Sequence, residues 1–208
     1  MPEPLIWPVD AAAPAPDVLA RAAALLAEGA VVAFPTETLY GLAVDAANHR
    51  ALARLAALKE RPDDKPFPLI IGAEGQIAPL AATLTPLARR LMAAHWPGPL
   101  TIVLAAAPGL PPELTHQGGV ALRLSSHPVA AGLALALGRA VTATSANLAG
   151  RPAQARPEAL DPALLARIDL LLDGGPCPGG APSTIVLASG RRAKVLRQGA
   201  VALAEEER

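Results

Sequence analysis

The segment between residues 31 and 65 constrains the fold most, because a strand pattern gives way to a helix pattern across one polar loop. Residues 31–34 are apolar and partly β-branched, which predicts a buried strand. Residues 35–41 then carry two threonine hydroxyls, a carboxylate and a phenol. An amphipathic helix follows, and three cations lie at or just beyond its end: Lys59, Arg61 and Lys65. This layout suits a polyanionic small molecule.

Length and composition favour one globular domain. The chain has 208 residues, of which 52% are hydrophobic, so it can bury a large core without disulfides or metals. Cys177 is the only cysteine, which excludes an internal disulfide framework and makes the cytoplasm the default compartment. Residues 1–16 lack a signal-peptide pattern and no apolar run reaches bilayer length, so we expect neither secretion nor membrane insertion.

Helix signals and apolar periodicity predict alternating helices and strands. Asp17 and Asn48 are the expected N-caps of two helices, Gly29 is the expected C-terminal residue of the first, and prolines 86 and 128 start two more. Strands are expected at residues 30–34, 69–71, 100–105, 120–124, 140–144, 168–172, 184–188 and 193–197, with a loop over 106–118. We predict an N-terminal extension, 1–16, and one α/β domain, 17–208, with a twisted mixed sheet and flanking helices.

Small polar residues lie at the ends of several predicted strands. They occupy residues 35–41, Ser145-Ala146-Asn147 and Ser183-Thr184. Ligands collect at strand ends in open α/β sheets, so these groups are expected to share a pocket. The alternative for each residue alone is a turn or capping role, which serine, threonine and asparagine often have.

Two arginines lie within predicted strands, Arg123 and Arg197. Period-two alternation places Arg123 either on an exposed edge or facing a pocket, and Arg197 has the same two alternatives. A guanidinium group binds carboxylate or phosphate in two-point geometry. Together they make a ligand with both a carboxylate and a phosphate plausible.

Other function classes are disfavoured. The histidines at 49, 95, 116 and 127 lack metal-ligand spacing, and no phosphate-loop, dinucleotide or serine-hydrolase motif is present. Eighteen basic and eighteen acidic residues cancel, so long-range attraction of nucleic acid is not expected. Two Trp, one Tyr and two Phe leave little for stacking on single-stranded RNA.

The order of these motifs resembles the YrdC/Sua5 family, over about residues 17 to 200. The family's KxR and SxN pairs correspond to Lys59-Glu60-Arg61 and Ser145-Ala146-Asn147. Further matches are the segments 35–41, 96–101, 183–184 and 196–199. The resemblance implies a twisted α/β sheet around a large, electropositive concave cavity. It also implies an enzyme that makes L-threonylcarbamoyladenylate and pyrophosphate from L-threonine, bicarbonate or CO2 and ATP.

Residue roles follow from the same resemblance. Lys59 and Arg61 are the implied catalytic residues. The implied threonine-binding positions are Thr38, Arg123, Ala143 and Ser183. The implied ATP-binding positions are Arg61, Lys65, Gly119, Ser145, Asn147, Ala153 and Arg197. Mg²⁺ is expected as a cofactor that accompanies ATP, and no protein metal ligands are assigned. The chain departs from the longer archaeal members at Ile70, Lys65 and Ala153, where those have histidine, asparagine and serine.

The resemblance also carries expectations about partners. The product would feed the N6-threonylcarbamoyl modification of adenosine 37 in tRNA. The chain ends soon after Arg197, as in the short bacterial form, so separate transferase-complex proteins are expected to use the product. Two alternatives are a protein that binds structured RNA, such as tRNA or double-stranded RNA, and a paralogue of this fold without the activity. The intact KxR and SxN pairs favour the synthase.

Overall fold

The computed structural model describes residues 4–60 and 65–207. Its α-helices are α1 (Pro16–Glu28), α2 (His49–Lys59), α3 (Pro86–His95), α4 (Pro128–Leu137) and α5 (Pro162–Leu165). Its strands are β1 (Leu5–Pro8), β2 (Val32–Phe34), β3 (Gly41–Ala43), β4 (Leu69–Ile71), β5 (Ala81–Thr83), β6 (Leu100–Ala106), β7 (Thr115–His116), β8 (Gly119–Leu124), β9 (Val141–Thr142), β10 (Thr144–Ser145), β11 (Leu170–Asp173), β12 (Thr184–Leu187) and β13 (Lys194–Arg197). No helix within the described ranges is long and apolar enough to cross a membrane.

The strands form two mixed sheets. The smaller sheet has the order β1-β11-β2-β3-β10, and the larger has the order β13-β12-β6-β8-β4-β9, with β5 added on β6 and β7 on β8. In the larger sheet parallel pairs, such as β12 with β6, alternate with antiparallel pairs, such as β6 with β8. In the smaller sheet two parallel pairs, β1 with β11 and β11 with β2, are followed by two antiparallel pairs, β2 with β3 and β3 with β10. The predicted single α/β domain with mixed pairing is therefore confirmed, although the strands divide between two hydrogen-bonded sheets.

Two predicted helix boundaries are confirmed, the N-cap at Asn48 and the C-terminal residue Gly29. The Asn48 carboxamide oxygen accepts the backbone N–H of Ala51 at 3.1 Å, and Gly29 ends α1 in the left-handed conformation with φ of 99°. The prediction of Asp17 as an N-cap was wrong. Ala15 is the cap and Pro16 is the first helical residue, because proline's fixed φ suits a position whose N–H needs no partner. Asp17 instead lies in the first turn.

Two apolar clusters hold the sheets and helices together. The first joins α1 and α4 to one face of β2, β4 and β11, with Leu26, Phe34 and Leu133 fully buried. The second packs α2 and α3 against the larger sheet, with Leu55, Leu91 and Ile102 among its buried members. The opposite face of β6, β8 and β12 is therefore left to line a cavity.

Some strands were not predicted. Strand β1 lies within the segment expected as an N-terminal extension and pairs in parallel with β11. Strand β5 was missed, and the predicted loop over 106–118 contains β7 and a 3-10 turn at Pro112–Leu114. The strand expected over 140–144 is divided into β9 and β10, which pair with different sheets. Such two- to four-residue strands are too short to produce a clear period-two pattern.

Candidate active site

A cavity of about 890 Å³ lies between the two sheets. Its larger wall is formed by alternate residues of three neighbouring strands, because successive side chains in a strand point to opposite faces. The residues of these three strands that line the cavity are Thr101 and Val103 of β6, Gly119, Ala121 and Arg123 of β8, and Ile185 and Leu187 of β12. Their neighbours Ile102, Leu122 and Val186 are fully buried in the core. The pocket-facing alternative predicted for Arg123 is thus the one observed.

The facing wall begins with the loop between β2 and β3. Thr36 organises this loop, since its hydroxyl accepts the N–H groups of Thr38 and Leu39 at 3.1 and 3.2 Å and donates to the Leu39 carbonyl at 2.7 Å. The hydroxyls of Thr36 and Thr38 lie 3.1 Å apart, and both residues line the cavity. The bonds from the Thr36 hydroxyl to the neighbouring backbone therefore hold the loop in one conformation and fix the direction of the Thr38 side chain.

Tyr40 anchors the same loop to residues 174 and 175. Its hydroxyl donates to the Gly175 carbonyl at 2.8 Å and accepts the Gly174 N–H at 3.2 Å. The tyrosine is fully buried, and burial raises its pKa above the ordinary value. We conclude that Tyr40 is a neutral hydrogen-bonding anchor rather than an acid or base.

Arg123 lies at the floor of the cavity beside an internal carboxylate. Its guanidinium Nη1 is 3.2 Å from Glu37 Oε1, and both side chains are at least nine-tenths buried. The Ser125 hydroxyl donates to the other oxygen, Glu37 Oε2, at 2.5 Å. Burial lowers the pKa of Arg123, whereas the charge of Glu37 raises it. The guanidinium remains charged because its ordinary pKa is so high.

Arg197 lies on the rim of the cavity and is held by neutral oxygens. Its Nε and Nη2 donate to the Ser183 carbonyl at 3.1 and 2.6 Å, and Nη2 also donates to the Ser183 hydroxyl at 3.0 Å. That hydroxyl lies 2.9 Å from the hydroxyl of Thr101. Partial desolvation by the surrounding protein and, second, the nearby charge of Arg123 lower the pKa of Arg197, although the residue as a whole is exposed. The two guanidinium groups are therefore close enough to repel, and an anion bound near both would relieve that repulsion.

Lys59 lies behind the cavity wall and binds the turn that follows β10. Its ammonium group donates to the carbonyls of Ser145 and Asn147 at 2.9 and 2.5 Å, and to Asn147 Oδ1 at 2.9 Å. The Ser145 hydroxyl donates to the same Asn147 Oδ1 at 2.5 Å. Lys59 is 8% exposed and does not line the cavity. Its observed contacts join the end of α2 to this turn and place Ser145 in the wall.

A family model named Sua5/YciO/YrdC, with the description "Telomere recombination", matches residues 24–199. The chain belongs to the Sua5/YciO/YrdC family. The family resemblance noted in the sequence is therefore confirmed.

Curated relatives extend this result. A threonylcarbamoyl-AMP synthase of Xanthomonas campestris pv. campestris (strain B100) is 41% identical over 86% of the chain and 96% of its own length. A threonylcarbamoyl-AMP synthase of Bacillus subtilis (strain 168) is 38% identical over 88% of the chain. The chain spans only about half of that protein, 54%.

Solved family structures have the same fold. P. abyssi Sua5, complexed with L-threonine, superposes with a TM-score of 0.88 and 32% identity over 94% of the chain and 57% of its own length. E. coli YciO superposes with a TM-score of 0.87 over 98% of the chain and 99% of its own length. At 24% identity, YciO supports the fold alone.

The cavity brings together most of the positions that the family resemblance implied. Those that line it are Thr38, Lys65, Gly119, Arg123, Ala143, Ser145, Ala153, Ser183 and Arg197. Lys59 and Asn147 lie directly behind the wall and contact it, as described above. Arg61 lies outside the described residues. Ile70 packs in the core, and its neighbour Leu69 lines the cavity instead.

Sequence reasoning missed several polar residues of the site. Thr36 and Glu37 were noted in the loop but given no role, and Thr101 and Ser125 were not singled out. Period-two alternation over β6 could have identified Thr101, since it shares a face with Val103. The pairing of Glu37 with Arg123 joins residues 86 positions apart, and no local pattern encodes it.

Proposed function

We propose that the chain is an L-threonylcarbamoyladenylate synthase that uses L-threonine, bicarbonate or CO2, and ATP. The observation that carries the proposal is one cavity with Arg123 at its floor, Arg197 on its rim and Lys65 in its lining, in a chain that is 41% identical to a curated threonylcarbamoyl-AMP synthase. The guanidinium of Arg123 at the floor suits the carboxylate of threonine, and that of Arg197 on the rim suits the triphosphate of ATP.

Arg123 is the proposed partner of the threonine carboxylate. A fixed guanidinium binds a carboxylate through two parallel hydrogen bonds, and the ion pair with Glu37 limits the orientations of Arg123. Thr38, Ala143 and Ser183 also line the cavity and are proposed as further threonine contacts. With the carboxylate held, the neutral amine forms a bond to the carbon of CO2 and loses a proton to water, which gives a carbamate. When bicarbonate is the donor, its C–OH bond breaks and the hydroxyl leaves with the amine proton as water.

The nucleotide is proposed to lie along Lys65, Gly119, Ser145, Ala153 and Arg197, all of which line the cavity. A carbamate oxygen then forms a bond to the α-phosphorus, while the bond from that phosphorus to the pyrophosphate oxygen breaks. Lys65 and Arg197 stabilise the negative charge of the departing pyrophosphate. In this mechanism the protein contributes positioning and charge stabilisation.

Lys59 and Asn147 are proposed to act through the turn at residues 145–147 rather than on the phosphates directly. The Lys59 ammonium and the Ser145 hydroxyl both bind Asn147 Oδ1, so this carboxamide holds Ser145 in place. The second implied catalytic residue, Arg61, is proposed as a phosphate contact on the basis of the KxR pair.

Mg²⁺ is proposed as an ion that accompanies ATP. No group of three or more histidine, cysteine or acidic residues among those described is placed to hold a metal ion. The described residues therefore do not fit a metal site built from protein carboxylates, whereas Mg²⁺ commonly binds through substrate phosphates and water.

The deciding experiment is formation of the adenylate from its three substrates. Purified protein with L-threonine, bicarbonate, ATP and Mg²⁺ should yield threonylcarbamoyl-AMP by mass spectrometry together with pyrophosphate. Omitting threonine or bicarbonate should abolish both products. Lys59→Ala should lower the rate at least about a hundredfold, since the loss of charge-assisted bonds disorders the turn. Failure of the folded native protein to make the adenylate would contradict the proposal.

The proposal extends to partners and compartment. The product would serve the modification of adenosine 37 of tRNA by separate transferase-complex proteins, in the cytoplasm where tRNA is modified. Direct binding of tRNA or double-stranded RNA is the competing hypothesis. A salt titration separates them, because phosphate-dominated RNA binding weakens steeply with salt, whereas adenylate formation requires threonine.

A further inference from the structure

Thr184 is the first residue of β12 and has no role in the mechanism above. It is fully buried, and its hydroxyl makes three hydrogen bonds to one stretch of chain. Thr184 Oγ1 accepts the N–H groups of Gly199 and Val201, each at 3.0 Å, and donates to the Val201 carbonyl at 2.6 Å. One donor and two acceptors are all that a hydroxyl has. Every one of them is therefore used to hold residues 199–201.

Gly199 shows how closely this stretch approaches the start of β12. A Cβ atom added at Gly199 would lie 2.1 Å from the Pro182 carbonyl oxygen and 2.7 Å from that of Ser183. The Ala200 N–H donates to the same Pro182 carbonyl at 2.8 Å. Only glycine allows this contact, so the backbone after β13 is fastened to residues 182–184 from two sides.

Arg197 is two residues before this fastened stretch. Its guanidinium must stay beside Ser183 although Arg123 repels it, as the lowered pKa of Arg197 reflects. Its Nε and Nη2 are engaged by Ser183, so Nη1 is the nitrogen that remains for a ligand. A backbone anchored on both sides of the side chain, by strand pairing with Ile185 and by the Thr184 contacts, resists that repulsion.

We infer that Thr184 is a positioning residue of the nucleotide subsite: its hydroxyl clamps residues 199–201 to the start of β12 and so holds Arg197 in place. The inference rests on the proposed function, because it takes the phosphates of ATP as the ligand of Arg197. It adds a role for Thr184 that depends on its hydroxyl and not on its shape.

A double-mutant cycle tests the clamp. Thr184→Val keeps the branched shape and removes the hydroxyl, and it is combined with Arg197→Ala. The KM for ATP and the affinity for a non-hydrolysable ATP analogue, measured by calorimetry, are compared in both backgrounds. Thr184→Val should weaken ATP binding about tenfold in the otherwise native protein and less than about twofold when Arg197 is already alanine. Thr184→Ser should restore native affinity within about threefold.

Thr85→Val is the matched control. The Thr85 hydroxyl also accepts a backbone N–H, from Ala88, and donates to a backbone carbonyl, of Ala188, each at 3.0 Å. It does so away from the cavity, so Thr85→Val should lower the melting temperature and leave the KM for ATP unchanged. Should Thr184→Val fail to fold, Thr184→Ala removes the same hydroxyl with a smaller side chain and enters the same cycle.

The positioning role of Thr184 would be wrong if Thr184→Val weakened ATP binding equally with and without Arg197→Ala. It would also be wrong if Thr184→Val alone did not weaken ATP binding. The proposed function fails separately, when the native protein makes no adenylate; calorimetry with the ATP analogue then still decides the role of Thr184.

Discussion

The cavity has two arginines in contrasting surroundings. At the floor, Arg123 is 5% exposed and its charge is balanced by Glu37, which is in turn bound by Ser125. At the rim, Arg197 is exposed, and the hydrogen bonds described for it go to the carbonyl and hydroxyl of Ser183. The same side chain is thus part of a buried ion pair in one place and of a neutral cradle in the other.

This contrast indicates how one cavity can distinguish two anionic substrates. The floor pair has no net charge, so it offers shape and hydrogen bonds to a small carboxylate. The rim retains a full positive charge, which favours the more highly charged triphosphate. A buried charge also needs its partner to keep the fold stable, whereas an exposed one does not. The floor arginine should therefore affect stability and binding, and the rim arginine mainly binding.

The largest expected effect is that of Arg123→Ala. It leaves the Glu37 carboxylate buried without a counter-charge, which should cost about 3 to 5 kcal/mol of unfolding free energy. Arg197→Ala removes bonds to neutral oxygens and should cost about 1 kcal/mol or less. Urea unfolding of both variants measures the difference.

The same two variants should also differ in which substrate shows the larger rise in KM. Arg123→Ala should raise the KM for threonine at least about tenfold more than the KM for ATP, since an arginine–carboxylate contact contributes about 1.5 to 3 kcal/mol. Arg54→Ala is the control, because it breaks an exposed ion pair with Asp169 away from the cavity. Equal loss of stability in Arg123→Ala and Arg197→Ala would refute the distinction between floor and rim.

Glu37→Gln should have an intermediate effect. The amide keeps the shape and an oxygen for the Ser125 hydroxyl, but Arg123 loses its counter-charge, so stability should fall by about 1.5 to 3 kcal/mol. Added threonine should then raise the melting temperature more in the variant than in the native protein, because its carboxylate replaces the missing charge. Thermal unfolding with and without threonine measures this gain.

Asp45→Asn provides the comparison for Glu37→Gln. Asp45 is also buried and pairs with Arg139, but that arginine side chain is 47% exposed and stays hydrated after the change. Asp45→Asn should therefore show no enhanced response to threonine. If threonine raised the melting temperature equally in the native protein and in Glu37→Gln, the Glu37 carboxylate would not be the counter-charge of Arg123.

The sequence predicted the parts of this site that are encoded locally. Alternation in β8 placed Arg123 among two alternatives, and the cap at Asn48 and the Gly29 terminus fixed the ends of helices. The strand-end clusters at residues 35–41, 145–147 and 183–184 do meet at one cavity, because the fold brings those strand ends together.

What could not be predicted depends on tertiary contacts. Lys59 was expected to be a catalytic residue in a cationic cluster suited to a polyanionic ligand, and only the structure shows its ammonium bound to a turn 86 residues away. The pairing of Glu37 with Arg123 and the clamp made by Thr184 also join distant segments. Short strands such as β1 and β5 depend on pairing with neighbours rather than on their own composition.

The smallest expected effect concerns pH and His127, which lies near the floor. Burial lowers the pKa of His127, although Glu37 acts in the opposite direction. The neutral ring accepts the Val129 N–H on Nδ1 at 3.3 Å and caps α4. A lowered pKa means that the unfolded chain binds the proton more readily, so stability should fall as pH drops below about 6.5.

His127→Asn separates this titration from the cap itself. Asparagine keeps a capping oxygen and cannot be protonated, so the variant should lose less stability than the native protein between pH 7.5 and pH 5. Urea unfolding at the two pH values measures the difference. Equal losses would show that His127 does not contribute to the acid sensitivity of the floor. The contacts of Arg197 with Ser183 should be unaffected either way, since neither side chain titrates in this range.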